Sequence, residues 1–308
     1  MNTLYSLSAN YQRDVGEESY EVVVVENSSG NMLDPDAVTS LGNNFHYLCR
    51  QEHGVSPAPA INEALPHCRG RHLGLMIDGA RMLSPRVISY SLQVLSLDNS
   101  IVIVPAYYLT EAGRTEAGHT ESNPLDILQQ EETLLRELKW QEDGYRLFRE
   151  ACFSNGNRHG YLDPIMECTA LMFERQRFQD LGGADESFDL QGGGALNLHI
   201  YRQVATSPAS RLYVLPGEGN FHQFHGGTST TAGPARDALV QDFKAQLDSH
   251  WPGGFKSVSR EPLLYGAVTR YALPFLQRAA ESGHLRLERF EERGQHPWPD
   301  DKEIDDIP

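Results

Sequence analysis

Four consecutive valines at positions 22–25, within the segment YEVVVVE, constrain the fold of this chain more than any other feature. β-branched residues favour extended backbone, and an uninterrupted apolar run is typical of a strand that is covered on both faces. The run leads into Asn27, Ser28 and Gly30, which favour a turn. The segment therefore predicts a buried strand that opens into a polar loop.

Similar short apolar runs recur along the chain and alternate with stretches of helical spacing. Further strands are predicted at 72–77, 100–107, 168–173 and 211–215. Helices are predicted from Pro124 through Leu138, near Pro234 and near Pro262, and Pro274 should kink or end the last of them because it lacks an N–H. This alternation predicts an α/β fold with a largely parallel sheet covered by helices.

Composition excludes several classes of protein. The 308 residues include 26 Lys plus Arg against 42 Asp plus Glu, a net charge of −16. Nucleic acid is therefore not an expected partner, because its phosphates are bound mainly by Lys and Arg. A hydrophobic fraction of 40% is enough for a sizeable core, and we predict one domain over residues 1–288. No apolar run is long enough for a membrane span.

The ends of the chain and its cysteines give two further expectations. Residues 289–308 are charged and contain prolines, which predicts an acidic, disordered tail. The four cysteines form no CxxC pair, and no signal-peptide pattern follows Met1. Both features favour reduced thiols and a cytoplasmic location.

Polar residues follow two of the predicted strands, at the sheet edge where ligands normally bind in α/β proteins. Glu26, with Asn27 and Ser28, offers a carboxylate to a base or ribose, and a solvated turn is the equal alternative. Asp78 and Gly79 end the apolar strand in HLGLMIDGARMLSP. They suit a cation or a phosphate that approaches the backbone, or else Asp78 simply caps the turn toward Pro85.

Two later loops also carry candidate groups. Asp185 and Glu186, in the glycine-hinged segment LGGADESF, could supply a general base or could be the acidic first turn of a helix. His222 and His225 lie three residues apart in PGEGNFHQFHGG, and imidazoles at this spacing are candidate metal or phosphate ligands. An HxxH pair alone is a weak signal.

Taken in order, these segments resemble the family-two glycosyltransferases of the GT-A fold. YEVVVVENSSG is similar to that family's second strand, APAINEAL to its sugar-nucleotide helix, and HLGLMIDGARMLSP to its metal-motif strand. ALMFERQRFQDLGGADESF, which ends in the GG-x-DE-x-F pattern, is the most specific match. The resemblance runs from about Leu4 to about Gly227 and implies a GT-A-like three-layer α/β/α sandwich.

The resemblance also implies roles for individual residues. Glu26, Asn27, Ser28, Asn62, Asp78 and Gly79 would bind the nucleotide-sugar donor, Asp185 or Glu186 would act near a hydroxyl acceptor, and Asp78 with His222 or His225 would hold a divalent cation, Mn²⁺ or Mg²⁺. The implied reaction is inverting glycosyl transfer, in which a carboxylate takes the acceptor's proton and a cation stabilises the departing nucleoside diphosphate.

Three departures from the family pattern qualify this expectation. The acidic metal motif is reduced to Asp78, Gly79 and Ala80, and QGGGALN stands where many relatives carry a further acidic pair. The family's first strand is also missing ahead of TLYSLSANYQ, so the domain is expected to be incomplete at its N-terminus. Unpaired backbone groups inside a sheet would each cost about 1–3 kcal/mol.

Three hypotheses for function follow. The leading one is a metal-assisted glycosyltransferase with a nucleotide-sugar donor and a hydroxyl acceptor. The second is a non-catalytic module that binds a nucleotide sugar or a partner, which Ala80 and the missing strand favour. The third is a metal-dependent hydrolase built around His222 and His225, which would need a third protein ligand and an open coordination position.

Overall fold

The computed structural model describes residues 1–28, 32–51, 54–77, 80–97, 99–109, 124–165, 169–207, 210–225, 234–251, 258 and 260–294. Its strands are β1 Val22–Asn27, β2 Phe45–Arg50, β3 His72–Leu75, β4 Arg81–Leu83, β5 Ser100–Ile103, β6 Ala106–Tyr108, β7 Cys152–Phe153, β8 Leu171–Glu174, β9 Arg211–Val214, β10 Asn220–His222 and β11 Leu263–Leu264. Its α-helices are α1 Asn2–Leu7, α2 Pro35–Thr39, α3 Ala58–Ala64, α4 Val87–Leu95, α5 Pro124–Leu138, α6 Arg175–Asp180, α7 Leu196–Ala205, α8 Pro234–His250 and α9 Leu273–Glu292.

A five-stranded sheet in the order β11-β9-β5-β8-β3 forms the middle layer of the fold. Successive side chains of a strand point to opposite faces, and the central strands are apolar on both. On β5, Ile101 and Ile103 pack with Ala58 of α3 and with α7, whereas Val102, together with Val104 just after the strand, packs with Val94 of α4. The predicted α/β/α arrangement is therefore confirmed.

Strand directions are mixed in the described sheets. β5, β9 and β11 run parallel, but β8 is antiparallel to both β5 and β3. A second sheet, β4-β10-β6-β7, contains one parallel pair, β10 with β6. Parallel and antiparallel pairs are equally frequent among the described strands, because short strands such as β4 and β7 add antiparallel partners that the apolar pattern did not reveal.

An aromatic cluster fills the space next to the second sheet. The Tyr107 ring lies 4.8 Å from Phe275 and 5.1 Å from Phe148 between centroids, in edge-to-face contacts, and stacks on Phe221 at 5.4 Å. Such pairs add to the stabilisation that comes from burying the rings. The cluster connects β6 and β10 to α9, so it joins distant parts of the chain.

The valine strand β1 forms a separate two-stranded parallel sheet with β2. Every residue of β1 is half-buried, not fully buried as its continuous apolar sequence predicts. The reason is that β1 pairs on one side only among the described strands. Its second edge faces a cleft toward β3.

Several predicted boundaries change for reasons connected with proline. The predicted strand 100–107 is divided into β5 and β6, because Pro105 has no N–H to donate to a ladder. Pro262 precedes the short strand β11, and no helix begins there. Pro274 lies in the first turn of α9, where a missing N–H costs little, so it neither kinks nor ends that helix.

The end of α9 also corrects the expected start of the tail. The helix continues to Glu292, and Phe290 is buried. An apolar side chain on the inner face of the helix therefore holds residues 289–292 against the domain. Residues 295–308 lie outside the described part of the chain.

The short N-terminal helix α1 covers the outer edge of β4. Side-chain hydroxyls of α1 accept the hydrogen bonds that an edge strand leaves unpaired: Arg81 N–H donates to Thr3 Oγ1 at 3.1 Å, and Leu83 N–H donates to Ser6 Oγ at 3.0 Å. Thr3 and Ser6 are both buried. The edge is thereby protected from pairing with another chain.

A buried carboxyl group, Glu218, joins the turn after β9 to the segment after β4. Its Oε2 accepts hydrogen bonds from the Ser84 hydroxyl at 2.5 Å and from Arg86 N–H at 3.1 Å, and its Oε1 accepts from the Tyr145 hydroxyl at 2.7 Å. Burial raises the pKa of Glu218 to about 7, although these three hydrogen bonds act in the opposite direction. The site therefore favours the protonated form.

We expect Glu218→Gln to remove a pH dependence of stability. Because the pKa is raised on folding, the folded chain binds a proton that the unfolded chain has released between about pH 4.5 and 7. Stability should fall as pH rises through that window, by up to about 3 kcal/mol. The measurement is melting temperature against pH. The melting temperature of Glu218→Gln should no longer fall across this pH range. The control Glu142→Gln, at an exposed carboxylate, should show the same pH dependence as the parent. The same pH dependence in the parent and in both variants would contradict the assignment to Glu218.

Candidate functional site

Glu26, the first of the predicted site residues, lies near the end of β1. Glu26 Oε2 accepts hydrogen bonds from the Tyr47 hydroxyl at 2.8 Å and from Leu33 N–H at 3.0 Å. Burial, followed by the hydrogen bond to Glu26, raises the pKa of Tyr47 to about 12, so Tyr47 stays a donor. Ser28 N–H continues the ladder to Arg50 O at 3.1 Å. One oxygen of Glu26 is thus committed to holding the loop.

Asn27 connects β1 to the segment that leads into α3. Its Nδ2 donates to Gly54 O and Ser56 O, each at 3.3 Å. Its Oδ1 accepts from Arg50 Nη1 at 3.0 Å, while Arg50 Nε donates to Glu63 of α3 at 2.6 Å. Arg50 is buried, so this ion pair is partly shielded from water and fixes α3 against the end of the sheet.

Asn62 of α3 binds the loop that carries the predicted acids. Ala184 N–H donates to Asn62 Oδ1 at 2.8 Å, and Asn62 Nδ2 donates to Ala184 O at 2.9 Å and to Glu186 Oε1 at 2.8 Å. Gly183 precedes this contact with φ +79°, and a Cβ there would lie 2.5 Å from Asn62 Oδ1. The glycine therefore allows both the left-handed turn and the close approach of Asn62.

Three of the predicted groups are brought together by these bonds. Ser56 Oγ donates to Phe188 O at 2.6 Å, which closes the connection between the 54–57 segment and the 184–188 loop. Glu26 with Asn27, Asn62, and Asp185 with Glu186 therefore belong to one hydrogen-bonded region at the end of β1. We call this region the Asn62 cluster. Asp78 and Gly79 lie outside the described residues.

The environment of Asp185 includes two residues that sequence analysis missed, Ser187 and His250. Asp185 Oδ1 accepts from the Ser187 hydroxyl at 2.5 Å and from Ser187 N–H at 2.9 Å, and Oδ2 lies 3.4 Å from His250 Nε2. Burial alone would raise the pKa of Asp185, but the bonds from Ser187 and the nearby histidines outweigh it and lower that pKa. Asp185 is therefore a stable carboxylate and a weak base.

Ser187, His250 and Asp185 do not form a nucleophile triad. His250 Nε2 lies 2.8 Å from Ser187 Oγ, and its Nδ1 lies 2.8 Å from Gln246 O, to which only an N–H can donate. In a triad the carboxylate holds the nitrogen opposite the nucleophile, but here Asp185 faces the same nitrogen as the serine. No sequence signal indicated His250, because it lies 63 residues beyond Ser187 on α8.

A buried histidine, His199 of α7, lies below this loop. Its ring contacts Phe188 at 4.7 Å and Trp251 at 5.5 Å between centroids. Among the residues that the structure describes, neither ring nitrogen has a hydrogen-bond partner. Burial lowers the pKa of His199 to about 4, against the opposing effect of Asp185, so the ring is neutral at pH 7. Its role is to pack against the aromatic floor of the Asn62 cluster.

The two histidines predicted as metal ligands face each other in the second sheet. His222 Nε2 and His225 Nε2 are 3.1 Å apart; His222 is buried and His225 is exposed. At this distance one ring donates a hydrogen bond to the other. Two nitrogens bound at about 2.1 Å to one octahedral ion also lie roughly 3 Å apart, so the rings would have to exchange this hydrogen bond for a shared cation in order to bind it. Gln223 N–H, between them, donates to Ala80 O at 2.8 Å. The pair thus adjoins the chain that follows positions 78–79.

Within the described residues, no group of three or more His, Cys, Asp or Glu side chains is arranged to hold a metal ion. The two imidazoles would therefore supply only part of a coordination sphere. A hydrolase centred on them would need a third ligand that this part of the chain does not place beside them.

The glycine run at 192–194 stands where the resemblance described above would lead one to expect an acidic pair. All three glycines have positive φ, at 68°, 80° and 57°, and Gly192 N–H donates to Val55 O at 2.8 Å. A Cβ on Gly193 would lie 2.8 Å from Pro57 Cδ. The turn therefore needs glycine for its backbone and its close packing, and it offers no carboxylate.

Comparisons with known proteins give structural likeness only. No family model and no curated protein matches the chain. It is similar to the crystal structure of S. aureus TarS residues 1–349 in complex with UDP, with 11% identity and a TM-score of 0.44; the match covers 95% of this chain and 69% of that one. It is also similar to another crystal structure of S. aureus TarS, with 11% identity and a TM-score of 0.45, over 80% of this chain and 37% of that one. It is also similar to the mannosyltransferase PcManGT from Pyrobaculum calidifontis with GDP-Man and Mn²⁺ (16%, 0.44, 96% and 73%). At these values, activity must be argued from the chain's own residues.

We expect Asn62→Ala to loosen the acidic loop. The change removes three hydrogen bonds and leaves the buried N–H and C=O of Ala184 unpaired, at a cost of about 1–3 kcal/mol each when water cannot replace the partner. The melting temperature should fall by several degrees, and amide hydrogen exchange should accelerate at residues 184–188. Gln277→Ala, which breaks an exposed bond on α9, should change neither; equal effects would exclude Asn62 as the anchor.

Proposed function

We propose that this chain binds a nucleoside-diphosphate sugar and transfers the sugar to a hydroxyl acceptor, by a metal-assisted, inverting reaction. The observation that supports this most directly is the Asn62 cluster, in which the loop after β1, helix α3 and two acidic side chains are joined by hydrogen bonds. A polar edge of this kind suits a nucleotide on one side and an acceptor on the other.

Donor recognition is assigned to the end of β1. Glu26 has one oxygen held by Tyr47 and Leu33, which orients the other toward a base or ribose hydroxyl. Asn27 and Ser28 shape the loop around that position, because the Asn27 amide is bonded to the 54–56 backbone. Asn62 keeps the donor side and the acceptor side in fixed relation through its bond to Glu186.

Among the two acids, Glu186 is the better candidate for general base. Both oxygens of Asp185 face hydrogen-bonding groups, and its lowered pKa weakens it as a base. Glu186 is exposed and accepts from Asn62 through Oε1, which orients its Oε2. In the proposed step the acceptor proton moves to Glu186, the acceptor oxygen bonds the anomeric carbon, and the bond to the diphosphate breaks with its electron pair on the departing oxygen.

The cation would be held by His222 and His225 together with Asp78. Mn²⁺ or Mg²⁺ bound there would neutralise charge on the departing diphosphate. The chain has a net charge of −16, which disfavours an anionic donor at long range, so local neutralisation is needed. Buried His222 is held by its strand pairing with Arg81 and Tyr108. Exposed His225 lies beside it, with the two Nε2 atoms 3.1 Å apart.

Nucleotide binding should depend on the metal and on His225. Calorimetric titration of UDP and GDP should give binding in the presence of Mn²⁺, and omission of the metal or the change His225→Ala should weaken it about tenfold or more, because a ligand is lost. His284→Ala, at an exposed histidine of α9, is the matched control and should bind as the parent does. A folded parent chain that binds neither nucleotide would reject the proposal.

Carboxylate variants should separate transfer from binding. Glu186→Gln keeps the acceptor for Asn62 but cannot take a proton, so product formation from a panel of UDP-, GDP- and dTDP-sugars should fall by about 10²-fold or more. Asp185→Asn should have the smaller effect, and the double variant should retain nucleotide affinity. A larger loss in Asp185→Asn than in Glu186→Gln would assign the base to Asp185 instead.

A non-catalytic nucleotide-sugar or partner-binding module is the second candidate. Two features favour it: Ala80 replaces an acid in the metal motif, and the 192–194 turn contains glycines only. Such a module would bind UDP or GDP without turnover, and neither carboxylate change would alter any measured rate. The same two experiments therefore distinguish it from the enzyme.

A further inference from the structure

A cleft of about 1010 Å³ separates the two-stranded sheet from the five-stranded sheet. It is lined along one side by Val22–Val25 of β1 and along the other by His72–Leu75 of β3. Each of these strands is the last of its sheet among the described strands. Two strand edges therefore face each other across an open space, an arrangement that proteins ordinarily cover.

The two edges run in the same direction. Glu21, just before β1, accepts hydrogen bonds from Arg69 Nε at 2.9 Å and from Gly70 N–H at 3.0 Å, just before β3. The starts of both strands therefore lie at the same end of the cleft. A single extended segment would be able to run parallel to both edges at once.

The backbone of each edge directs unpaired groups into the cleft. Val22 N–H and Ser28 N–H donate to the β2 side, at 2.8 Å and 3.1 Å, and because residues alternate in a parallel ladder, Val23 and Val25 face away from β2. On β3, Arg175 N–H donates to Arg71 O at 2.9 Å, so the odd-numbered residues pair with β8. His72 and Gly74 therefore direct their backbone groups toward the cleft.

The cleft is apolar above and below. Leu75 and Ile77 of the β3 segment pack in the core cluster of α3, together with Ile61 and Leu65, whereas Met76 packs in the cluster of α4 on the opposite face. Further apolar wall residues on these two sides include Leu4, Leu7, Ile88, Leu92, Leu95, Ala60 and Ala64. These two faces therefore suit an occupant that is apolar on both sides, as a strand of β-branched residues is.

Charge at one end fixes the orientation of the occupant. Glu17, Glu18 and Glu21 lie where the two strands start. Of the cations beside them, Arg69 is paired with Glu21 and Arg71 with Glu174 at 3.4 Å, and Arg175 Nε donates to Gly70 O at 2.8 Å. The four carboxylates outnumber the three guanidinium groups, so this end suits the positive amino end of a strand, or a Lys that precedes it, which favours the parallel direction.

We propose that this cleft binds an extended polypeptide strand, which inserts between β1 and β3 and consists of about five apolar residues preceded by a positive amino end or a Lys. It would hydrogen-bond the backbone of Val23 and Val25 on one side and of His72 and Gly74 on the other. Insertion would convert the two sheets into one continuous eight-stranded sheet. It would also bury the half-exposed valines of β1, whose sequence is that of a central strand.

The test uses a strand probe of composition Lys-Val-Val-Ile-Val-Val. The probe is joined ahead of Met1 of the full chain by a Gly/Ser linker of about twelve residues, which spans roughly 20 Å and raises the local concentration. We expect the melting temperature to rise by several degrees, and amide exchange at Val23, Val25 and Gly74 to slow at least tenfold. A fusion of Lys-Gly-Ser-Gly-Ser-Gly through the same linker should do neither.

Val23→Pro supplies a second, independent readout. It removes one donor toward the cleft while the Val22 and Val24 ladder with β2 is retained, so the chain without the probe should melt nearly as the parent does. In the fusion it should abolish most of the gain. Unchanged exchange at the three amides in the folded fusion would overturn the proposal. Equal protection of these amides by UDP would also overturn it, because a small ligand would then occupy the cleft. So would amide protection in the parent chain that increases with protein concentration, because a second copy would then occupy it.

Discussion

The burial of β5 on both faces is the constraint on which the rest of the structure depends. All four of its residues are buried, and it pairs with β8 on one side and β9 on the other. Its alternating side chains require a hydrophobic layer above and another below, which α7 and α4 provide. Because β8 continues directly into α6 and the 181–188 loop, this central pairing also determines where the acidic loop emerges.

The candidate site is built mainly by short polar side chains that bind backbone groups. Asn27, Ser56 and Asn62 each bond to main-chain atoms of a neighbouring segment. Such bonds fix irregular loops that no ladder reaches, and each one satisfies groups that would be costly to leave unpaired. The cluster therefore links β1, α3 and the acidic loop through hydrogen bonds. A ligand that displaces one of these segments would also displace the other two.

The sequence was informative where a periodic pattern coincided with burial, and less so elsewhere. Helix α5 was predicted at its observed limits, and the apolar runs of β3, β8 and β9 were located to within a few residues. The antiparallel direction of β8 was not predictable, since an apolar run carries no direction. Glu26, Asn62 and Glu186 were named from the sequence and their functional roles stay predictions, whereas His250 and His199 are placed beside Asp185 only by the packing of α8 and α7. Contacts between residues so distant in sequence depend on tertiary structure alone.

The glycine turn limits how this site can work. Gly194 combines φ 57° with ψ −114°, a conformation that residues with a Cβ rarely adopt, and Gly193 packs against Pro57. An acidic side chain introduced there would strain the turn that holds the 54–57 segment, so the proposed base is assigned to the 185–186 loop and not to this turn. That loop is bonded to Asn62 of α3, whereas the histidine pair belongs to the second sheet. The proposed cation ligands and the proposed base therefore rest on different structural supports, so substitutions can test the two separately.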